Sequence, residues 1–354
     1  MGSINIDNTG SGGAITLSSD GTSLLLGGSA VGGGADLYAA NPVSATDPTA
    51  SGANAVAIGN SALASGSNAI AIASGTDATG TSSIALGNYA QATANYAVAI
   101  GSSAEASVTS ATAVGYLSDA LQEGAIALGR SRASGVHSFA AGITLSTSSY
   151  GALGHYSVAL SQNAKASGSG ATAIGYYTQA TGSDSFAVGY RSESTANDAY
   201  SFGNYAKSAT KGKLAYASGQ FAATGDAQGG QFILRADTTD ATATVLTTNN
   251  STAGSTNQIV AASDTCITFD GTITAMQNGA QAYASFRIEG LLVNDGGTTT
   301  LANSATTVID NQSSWVMALS ADNTNNALAI TCTGEASHNI RWVANIRTTE
   351  VTYA

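Results

Sequence analysis

The sequence of this 354-residue chain is poor in charge, in proline and in long apolar runs. Charged residues make up 9% of it, far below the usual quarter, and it has two prolines. No run of about 18 apolar residues is present to cross a bilayer, and the N-terminus lacks the basic and apolar regions of a secretory signal. Because 43% of the residues are apolar, the composition is not that of a disordered chain. We expect a folded chain without membrane insertion.

Basic residues are scarce, and the formal net charge is −11. Residues 1–51 have four acidic and no basic side chains, and the two signs balance over residues 52–225. Residues 226–354 have eleven acidic and four basic side chains. Neutralising a phosphate backbone requires clustered Lys and Arg, so we expect no nucleic-acid partner.

Cysteine and histidine are too few to indicate a metal site. Cys266 and Cys332 lie in apolar strand-like runs, where we expect two buried thiols that behave as small apolar side chains. A disulfide between them would need oxidising surroundings and stays open. His137, His155 and His338 show no metal-binding spacing. We expect no metal and no cofactor.

A repeat of 14 residues is the dominant feature of the sequence. Its motif is a small residue, Ile or Val, Ala, a branched residue and Gly, and it recurs in register from 55–59 to 125–129. The copy at 138–142 is one residue short, and an insertion follows at 143–156. The repeat then resumes and ends at Gly219. The repeat occurs in about twelve copies, which predict about twelve stacked coils.

Each repeat predicts two short strands and two tight turns. Its first half alternates Ala with Val, Ile or Leu, its second half alternates small with polar residues, and Gly, Asn or Ser marks the turns. Identical units stack when every strand pairs with its equivalent in the next unit. Alanine is small enough to fill a thin coil interior. The repeats therefore predict an all-β chain with a parallel β-roll over residues 52–225.

The branched residues of the first strand face away from that interior. About a dozen such side chains, each contributing about 1.5–3 kcal/mol when buried, are too many to leave in water. The simplest partner for this row is the same row of other copies around a three-fold axis, which predicts a homotrimer; a monomeric β-helix is the alternative. The trimer-core candidates are Val56, Ile58, Ile70, Ile72, Ile84, Leu86, Val98, Ile100, Val114, Ile126, Leu128, Ile174 and Val188.

The repeat resembles that of a known family. Residues 83–92 read Ser-Ile-Ala-Leu-Gly-Asn-Tyr-Ala-Gln-Ala, which is similar, position by position, to the head of the YadA-like trimeric autotransporter adhesins. The resemblance covers half the chain and implies a homotrimeric, left-handed parallel β-roll. YadA-like rolls also occur in bacteriophage tail fibres. Because the chain shows no secretory signal, no heptad stalk and no membrane anchor, we expect a tail fibre of a virion, assembled in the host cytoplasm; a bacterial surface adhesin head is the alternative.

The regions beside the roll have different predicted roles. Residues 1–35 hold short apolar runs that we expect to dock to a virion baseplate or adaptor, and residues 36–51 hold both prolines and read as a linker. From residue 226 the repeat stops. We expect a C-terminal β-sandwich or jelly roll over 226–354, with strands at 232–236, 244–247, 266–269, 272–276, 283–289, 315–319, 327–333 and 340–349.

We expect the C-terminal domain to bind a bacterial surface receptor, a glycan such as lipopolysaccharide or a protein, because binding residues concentrate on loops. The candidates lie in two polar turns, although Asx side chains in turns commonly cap their own backbone. They are Asn294, Asp295, Asp322, Asn323, Asn325 and Asn326.

Catalysis is not predicted. Glycoside hydrolysis requires two carboxylates about 5–10 Å apart, and the acids of the roll form no recurrent pair, so a polysaccharide depolymerase is the weaker alternative. Tyrosines that follow the repeat glycine pack over the coil corners or form a lateral saccharide surface. These are Tyr89, Tyr116, Tyr176, Tyr177, Tyr190 and Tyr205.

Overall fold

A computed structural model gives the fold of this chain. It describes residues 46–142, 149–279, 282–311 and 315–353 and, before residue 46, the backbone of five short strands. Every regular element among these residues is a β-strand, and none of them forms a helix that is long and apolar enough to span a membrane. The chain divides into two compact units, Met1–Gly124 and Ala125–Ala354.

The first unit begins with a small antiparallel sheet and continues as parallel coils. The sheet consists of Ile4–Ile6, Ile15–Ser19, Leu24–Leu26 and Ser29–Ala30. One face of the coils, the long ladder, consists of Ala35–Asp36, Val56–Ile58, Ile70–Ile72, Ile84–Leu86, Val98–Ile100 and Thr112–Val114. The other face, the short ladder, consists of Thr49–Ala50, Leu63–Ala64, Asp77–Ala78, Gln91–Ala92, Glu105–Ala106 and Asp119–Ala120.

The second unit contains coils of the same kind. Its long-ladder strands are Ile126–Leu128, Phe139–Ala141, Val158–Leu160, Thr172–Ile174, Phe186–Tyr190, Tyr200–Asn204 and Leu214–Ser218. Its short-ladder strands are Arg132–Ala133, Gly151–Ala152, Lys165–Ala166, Gln179–Ala180, Glu193–Ser194 and Lys207–Ser208. The described coils of the two units number about twelve, which confirms the parallel β-solenoid.

Each coil strand pairs with the residues one repeat later. In the first unit Ile84 pairs with Val98 and Ala85 with Ala99. The alanines of these strands are fully buried, whereas the branched residues on either side are half-buried or exposed. The turns are equally close-packed, since a Cβ atom on Gly66 would lie 1.9 Å from the Gly80 carbonyl oxygen. The predicted alternation, with alanine inside and branched residues outside, is confirmed.

The coils extend into two segments that the repeat pattern leaves out. Thr49–Ala50, within the predicted linker 36–51, pairs in parallel with Leu63–Ala64. Gly151–Ala152, within the predicted insertion 143–156, pairs with Lys165–Ala166. Neither segment has the apolar motif, but each supplies the small inward residue of a short-ladder strand, Ala50 or Ala152.

A large antiparallel sheet follows the last coil of the second unit. Leu214 pairs with Gln231, so the last coil strand is continuous with this sheet. The strand order from there is Ala227–Thr238, Ile340–Thr352, Thr265–Gln277, Tyr283–Asp295 and Thr298–Asn311. A smaller sheet has Ala327–Thr333 at its centre, Val316–Asp322 on one edge, and Thr244–Val245 and Ile259–Val260 on the other.

The two sheets enclose one apolar core and form the predicted β-sandwich. Large side chains of the large sheet, such as Phe232, Ile273 and Trp342, are buried together with Leu328 and Ile330 of the small one. Strict alternation of buried and exposed residues along Ile340–Thr352 produces this core. We call this part of the second unit the C-terminal sandwich.

Two details of the sandwich differ from the predicted strands. The runs 266–269 and 272–276 are one strand, Thr265–Gln277, because Gly271 is a close approach rather than a turn; a Cβ there would lie 2.3 Å from the Asn345 carbonyl oxygen. The strand Thr298–Asn311 was not predicted, because its Thr, Ser and Asn residues are mostly exposed and carry no apolar alternation.

Candidate functional site

The structure brings the two predicted receptor-binding turns together. Thr299 donates its backbone N–H to Asn323 Oδ1 at 2.7 Å and its hydroxyl to Asn326 Oδ1 at 3.2 Å. These turns lie at the end of the sandwich next to the last coil, since Asn294 and Thr352 both pair with Thr265, and the Thr352 N–H donates to a carbonyl at Asp226.

Most side chains of these turns already form hydrogen bonds within the chain. Asn294 is 1% exposed and donates through Nδ2 to the Ala261 carbonyl at 2.8 Å. Asp322 accepts the N–H groups of Thr324 and Asn325 and the Asn325 Nδ2. Burial alone would raise the pKa of Asp322, but these donors outweigh it and lower that pKa. Asp295 is exposed. Capping of its own turn therefore explains the Asp322–Asn325 pair. Receptor binding by the six residues stays a prediction.

A polar cross-strand group occupies the opposite end of the large sheet. Arg341 lies directly between Asp237 on one neighbouring strand and Met276 on the other, so the three side chains share the outward face. Arg341 Nε donates to Asp237 Oδ1 at 3.3 Å, and Asn250 Nδ2 donates to Asp237 Oδ2 at 2.7 Å. A carboxylate, a guanidinium and an amide therefore meet at one edge of the sandwich.

Two cavities flank this group, and we name them together the outer groove. One has a volume of about 520 Å³ and is lined by Asp237, Thr239, Met276, Asn278, Asn339 and Arg341, among others. The second, of about 390 Å³, is lined by Arg235, Asp237, Asn249, Asn250, Arg341 and Val343, among others. Both volumes fall in the range of sites for small ligands. Amide, carboxylate and guanidinium groups beside aliphatic side chains can bind a saccharide.

The outward face of the large sheet carries the arginines of the C-terminal sandwich. The basic residues of 226–354 are Arg235, Arg287, Arg341 and Arg347, and all four are exposed on outward positions of this sheet. Arg347 pairs with Asp270 at 2.5 Å and Arg287 lies 3.7 Å from Glu289. Within the described ranges, Arg235 has no carboxylate at salt-bridge distance. An otherwise acidic domain thus presents guanidinium groups at the outer groove.

Sequence reasoning missed the outer groove. Asp237 and Arg341 are 104 residues apart, and only the register of their two strands brings them together. The available signal was a charged residue at an outward position of an apolar strand, beside Trp342. That signal also fits an ordinary solvated face.

No metal centre can be built from the described residues, since no three His, Cys, Asp or Glu side chains converge there. Cys266 is half-buried, Cys332 is buried, and both are free thiols. Burial raises the pKa of the Cys332 thiol to about 12, so this thiol is unreactive at neutral pH. His338 Nδ1 lies 3.2 Å from a Glu335 oxygen at the surface, and His137 stacks on Tyr156.

The trimer-core candidates form an outward row on the long ladder. In the single chain none of the thirteen is buried, and Ile72, Ile100, Ile126 and Leu128 are 36–39% exposed. The row therefore exists as an apolar strip within each unit, and homotrimer formation stays a prediction.

The solved structures to which the chain is similar include two bacteriophage tailspikes. One, from Acinetobacter baumannii bacteriophage Fri1, is a capsular polysaccharide depolymerase; it is 8% identical with a TM-score of 0.20, over 83% of this chain and 62% of that one. The other, from Acinetobacter baumannii phage AM24, is 12% identical with a TM-score of 0.19, over 84% and 57%. The chain thus spans less than two thirds of either tailspike. No curated protein matches the sequence.

A family model gives a more specific match. The YadA head domain repeat matches residues 50–72, 78–104, 109–131, 152–178, 166–192 and 180–206. These matches fall on the coils of both units and on the strands that the 14-residue period predicts. This chain therefore carries YadA head domain repeats.

Proposed function

We propose that this chain is a bacteriophage tail fibre that attaches the virion to a saccharide of the bacterial surface through the outer groove. The observation that carries the proposal is the Asp237–Arg341–Asn250 group between two ligand-sized cavities. Arginine and amide side chains recognise hydroxyl and carboxylate groups by paired hydrogen bonds. The C-terminal sandwich is the receptor-binding part, as predicted, but at its opposite end.

The position of the groove supports this role. The last coil pairs with residues 229–231, near the start of Ala227–Thr238, whereas Asp237 lies at the far end of that strand. A receptor can reach that end without meeting the last coil. The six turn residues at the coil-side end remain a second candidate surface.

We propose further that the fibre is a homotrimer, with the outward row of the long ladder packed around the three-fold axis. The support is the strip of Val, Ile and Leu side chains that a single chain leaves half-exposed. Residues 1–35 would dock to the virion, directly or through an adaptor. We propose no enzymatic activity: among the described residues that line the two cavities, Asp237 has the one carboxylate, and glycoside hydrolysis requires two.

The experiment is binding of the purified full chain to cells of the host bacterium. Arg341→Ala should weaken binding about 10-fold or more, because a hydrogen bond to a charged group is worth about 1.5–3 kcal/mol. The control is Arg287→Ala, which removes an arginine from the same face outside the cavities. Equal binding by the two variants would reject the outer groove.

The same preparation separates the alternatives. A tail fibre competes with its phage for adsorption, whereas a bacterial adhesin head labels cells without blocking phage. A depolymerase releases reducing ends from host polysaccharide, which we do not expect. Blocking of adsorption by wild type but not by Arg341→Ala supports both the phage role and the groove.

A further inference from the structure

One coil corner of the second unit has an unusual concentration of planar side chains. The two residues after each repeat glycine form this corner, and in three successive coils they are Tyr176–Tyr177, Tyr190–Arg191 and Asn204–Tyr205. We name Tyr176, Tyr177, Tyr190, Arg191 and Tyr205 the aromatic corner. Tyr190 is 38% exposed and Arg191 is exposed, so the cluster faces solvent in the single chain.

The side chains of the aromatic corner contact one another in one connected cluster. The ring centres of Tyr176 and Tyr190 are 5.4 Å apart and nearly parallel, and those of Tyr190 and Tyr205 are 5.3 Å apart. The Arg191 guanidinium lies 5.0 Å from the ring centre of Tyr177 and 5.7 Å from that of Tyr190. Together they form one connected cluster of rings around one guanidinium, parallel between Tyr176 and Tyr190 and perpendicular between Tyr190 and Tyr205.

The coil does not need aromatic residues at this corner. Other coils close the same turn with small polar residues, as Asn60–Ser61 and Ser102–Ser103 do. At the equivalent position of another coil, a single tyrosine, Tyr89, packs over Gly75 of the preceding coil. One ring is therefore enough to cover such a corner. The aromatic corner has four tyrosine rings, more than the packing of the coil needs.

Its backbone conformation is that of the same turn in other coils, where Ser61, Ser103 and Leu117 have φ angles of 51–56°. Tyr177, Arg191 and Tyr205 have φ angles of 54°, 52° and 62°, a left-handed region that bulky residues rarely adopt. The Arg191 N–H donates to the Tyr176 carbonyl and the Tyr205 N–H to that of Tyr190, each at 2.9 Å, which holds the side chains in register. Asn or Gly would fit these positions with less strain.

Arg191 is available for an anion. Within 46–142, 149–279, 282–311 and 315–353, no carboxylate lies at salt-bridge distance from it. Its hydrogen bond with the Tyr190 hydroxyl raises the pKa of Arg191, and a hydrogen bond with the same hydroxyl raises the pKa of Tyr205. At neutral pH the corner thus has neutral rings and one unpaired positive charge.

We propose that the aromatic corner binds an acidic saccharide, one whose sugar rings carry carboxylates. The apolar C–H face of a sugar ring packs on the exposed part of Tyr190, and the carboxylate accepts two N–H groups from Arg191. This site is on the coils, shares no residue with the outer groove and does not rest on the function proposed for that groove.

The test measures binding of hexagalacturonate, with maltohexaose as the neutral probe of equal length, by titration calorimetry on the full chain. All proteins carry Arg341→Ala, so that the outer groove does not contribute. Arg191→Asn removes the charge and suits the left-handed backbone, and Tyr190→Leu removes the planar ring while keeping an apolar side chain. The matched control is Tyr89→Asn, at the same repeat position with φ of 55° but outside the aromatic corner.

We expect the parent chain and the Tyr89→Asn control to bind hexagalacturonate equally, and maltohexaose more weakly. Arg191→Asn should weaken binding of the acidic probe about 10-fold or more, and Tyr190→Leu about two- to tenfold. Arg191→Lys keeps the positive charge but cannot form two parallel hydrogen bonds, so its affinity for hexagalacturonate should lie between those of the parent chain and Arg191→Asn. If Arg191→Asn does not fold, Arg191→Lys replaces it in the test. Absence of binding by the parent chain, equal affinity for both probes, or unchanged affinity in the Arg191 variants would overturn the proposal.

Discussion

The coils and the C-terminal sandwich bury side chains of opposite size. The interior of the coils consists almost wholly of alanine and serine, as in Ala85, Ala99 and Ala113, whereas the sandwich buries Phe232, Trp342 and other large side chains. Burial stabilises roughly in proportion to apolar area. A sandwich chain can therefore bury its large residues by itself, while a coil places its large residues outside and needs another surface to cover them.

A buried charged network joins the two regions within the second unit. Lys213, at the last coil, donates to Glu350 of the last strand at 2.5 Å, and Gln228 and Thr348 also donate to that carboxylate. Asp226 accepts the backbone N–H groups of residues 221–223 close by. Paired charges therefore lie at the junction between the alanine interior of the coils and the aromatic core of the sandwich.

The largest expected effect comes from breaking that network. Lys213→Met leaves Glu350 buried without its positive partner and should lower the free energy of unfolding of the second unit by about 3–5 kcal/mol. The measurement is denaturant unfolding followed by the fluorescence of Trp315 and Trp342, which lie in the sandwich core. Lys213→Met combined with Glu350→Gln should recover most of the loss. A loss below about 1 kcal/mol in the single variant would show that the two regions are not coupled through this pair.

A smaller effect distinguishes the two interiors. Ala99→Leu inserts bulk between Ala85 and Ala113 of adjacent coils and should destabilise the first unit by about 1–3 kcal/mol. Ile273→Leu conserves volume in the sandwich core and should cost less than about 1.5 kcal/mol. Amide hydrogen exchange at 97–101 and at 271–275 measures both. Similar protection from exchange at 97–101 in Ala99→Leu and wild type would mean that the coil interior can accommodate a leucine side chain.

The smallest expected effect is that of pH. Among the described residues, Asp226 and Glu350 are the buried carboxylates, and the alanine interior holds none. Burial alone would raise both pKa values, but the N–H donors around Asp226 and the Lys213 ammonium beside Glu350 lower them. Since the folded pKa is below the unfolded one, each group stabilises the fold above its ordinary value, 3.8 or 4.5, and this contribution is lost as pH falls through the folded pKa.

Acid should therefore weaken the sandwich before the coils. Thermal unfolding of the sandwich, followed by tryptophan fluorescence, should shift to lower temperature as pH falls below about 4.5, and less steeply in Glu350→Gln. The effect is smaller than that of Lys213→Met because a protonated carboxyl group can still accept hydrogen bonds. An identical slope in wild type and Glu350→Gln would contradict this assignment.

The coils could be predicted almost completely from the sequence because their contacts repeat. Pairing one repeat apart follows from the period, and the alternation of Ala99 with Val98 and Ile100 identifies inside and outside. The insertion was placed less well, because Gly151–Ala152 has the small residue of a short-ladder strand but no other signal.

The sandwich could be predicted only in outline. Its strands were visible where apolar residues alternate, as in Ile340–Thr352. Their partners lie as far apart as Ala227 and Val351, and the period of a strand does not identify its partner. The meeting of Asp237 with Arg341 depends on that choice. Polar turns such as Asp322–Asn326 were visible, yet their side chains mainly cap the turns, as short Asx side chains commonly do.

The central claim is that the outward apolar row of the coils is buried in a homotrimer. The mass of the protein in solution tests this claim most directly. Sedimentation equilibrium of the wild-type protein at low micromolar concentration should give three times the chain mass of 34.8 kDa. A stable, soluble species of one chain mass would show that the row tolerates water, and would contradict the homotrimeric fibre.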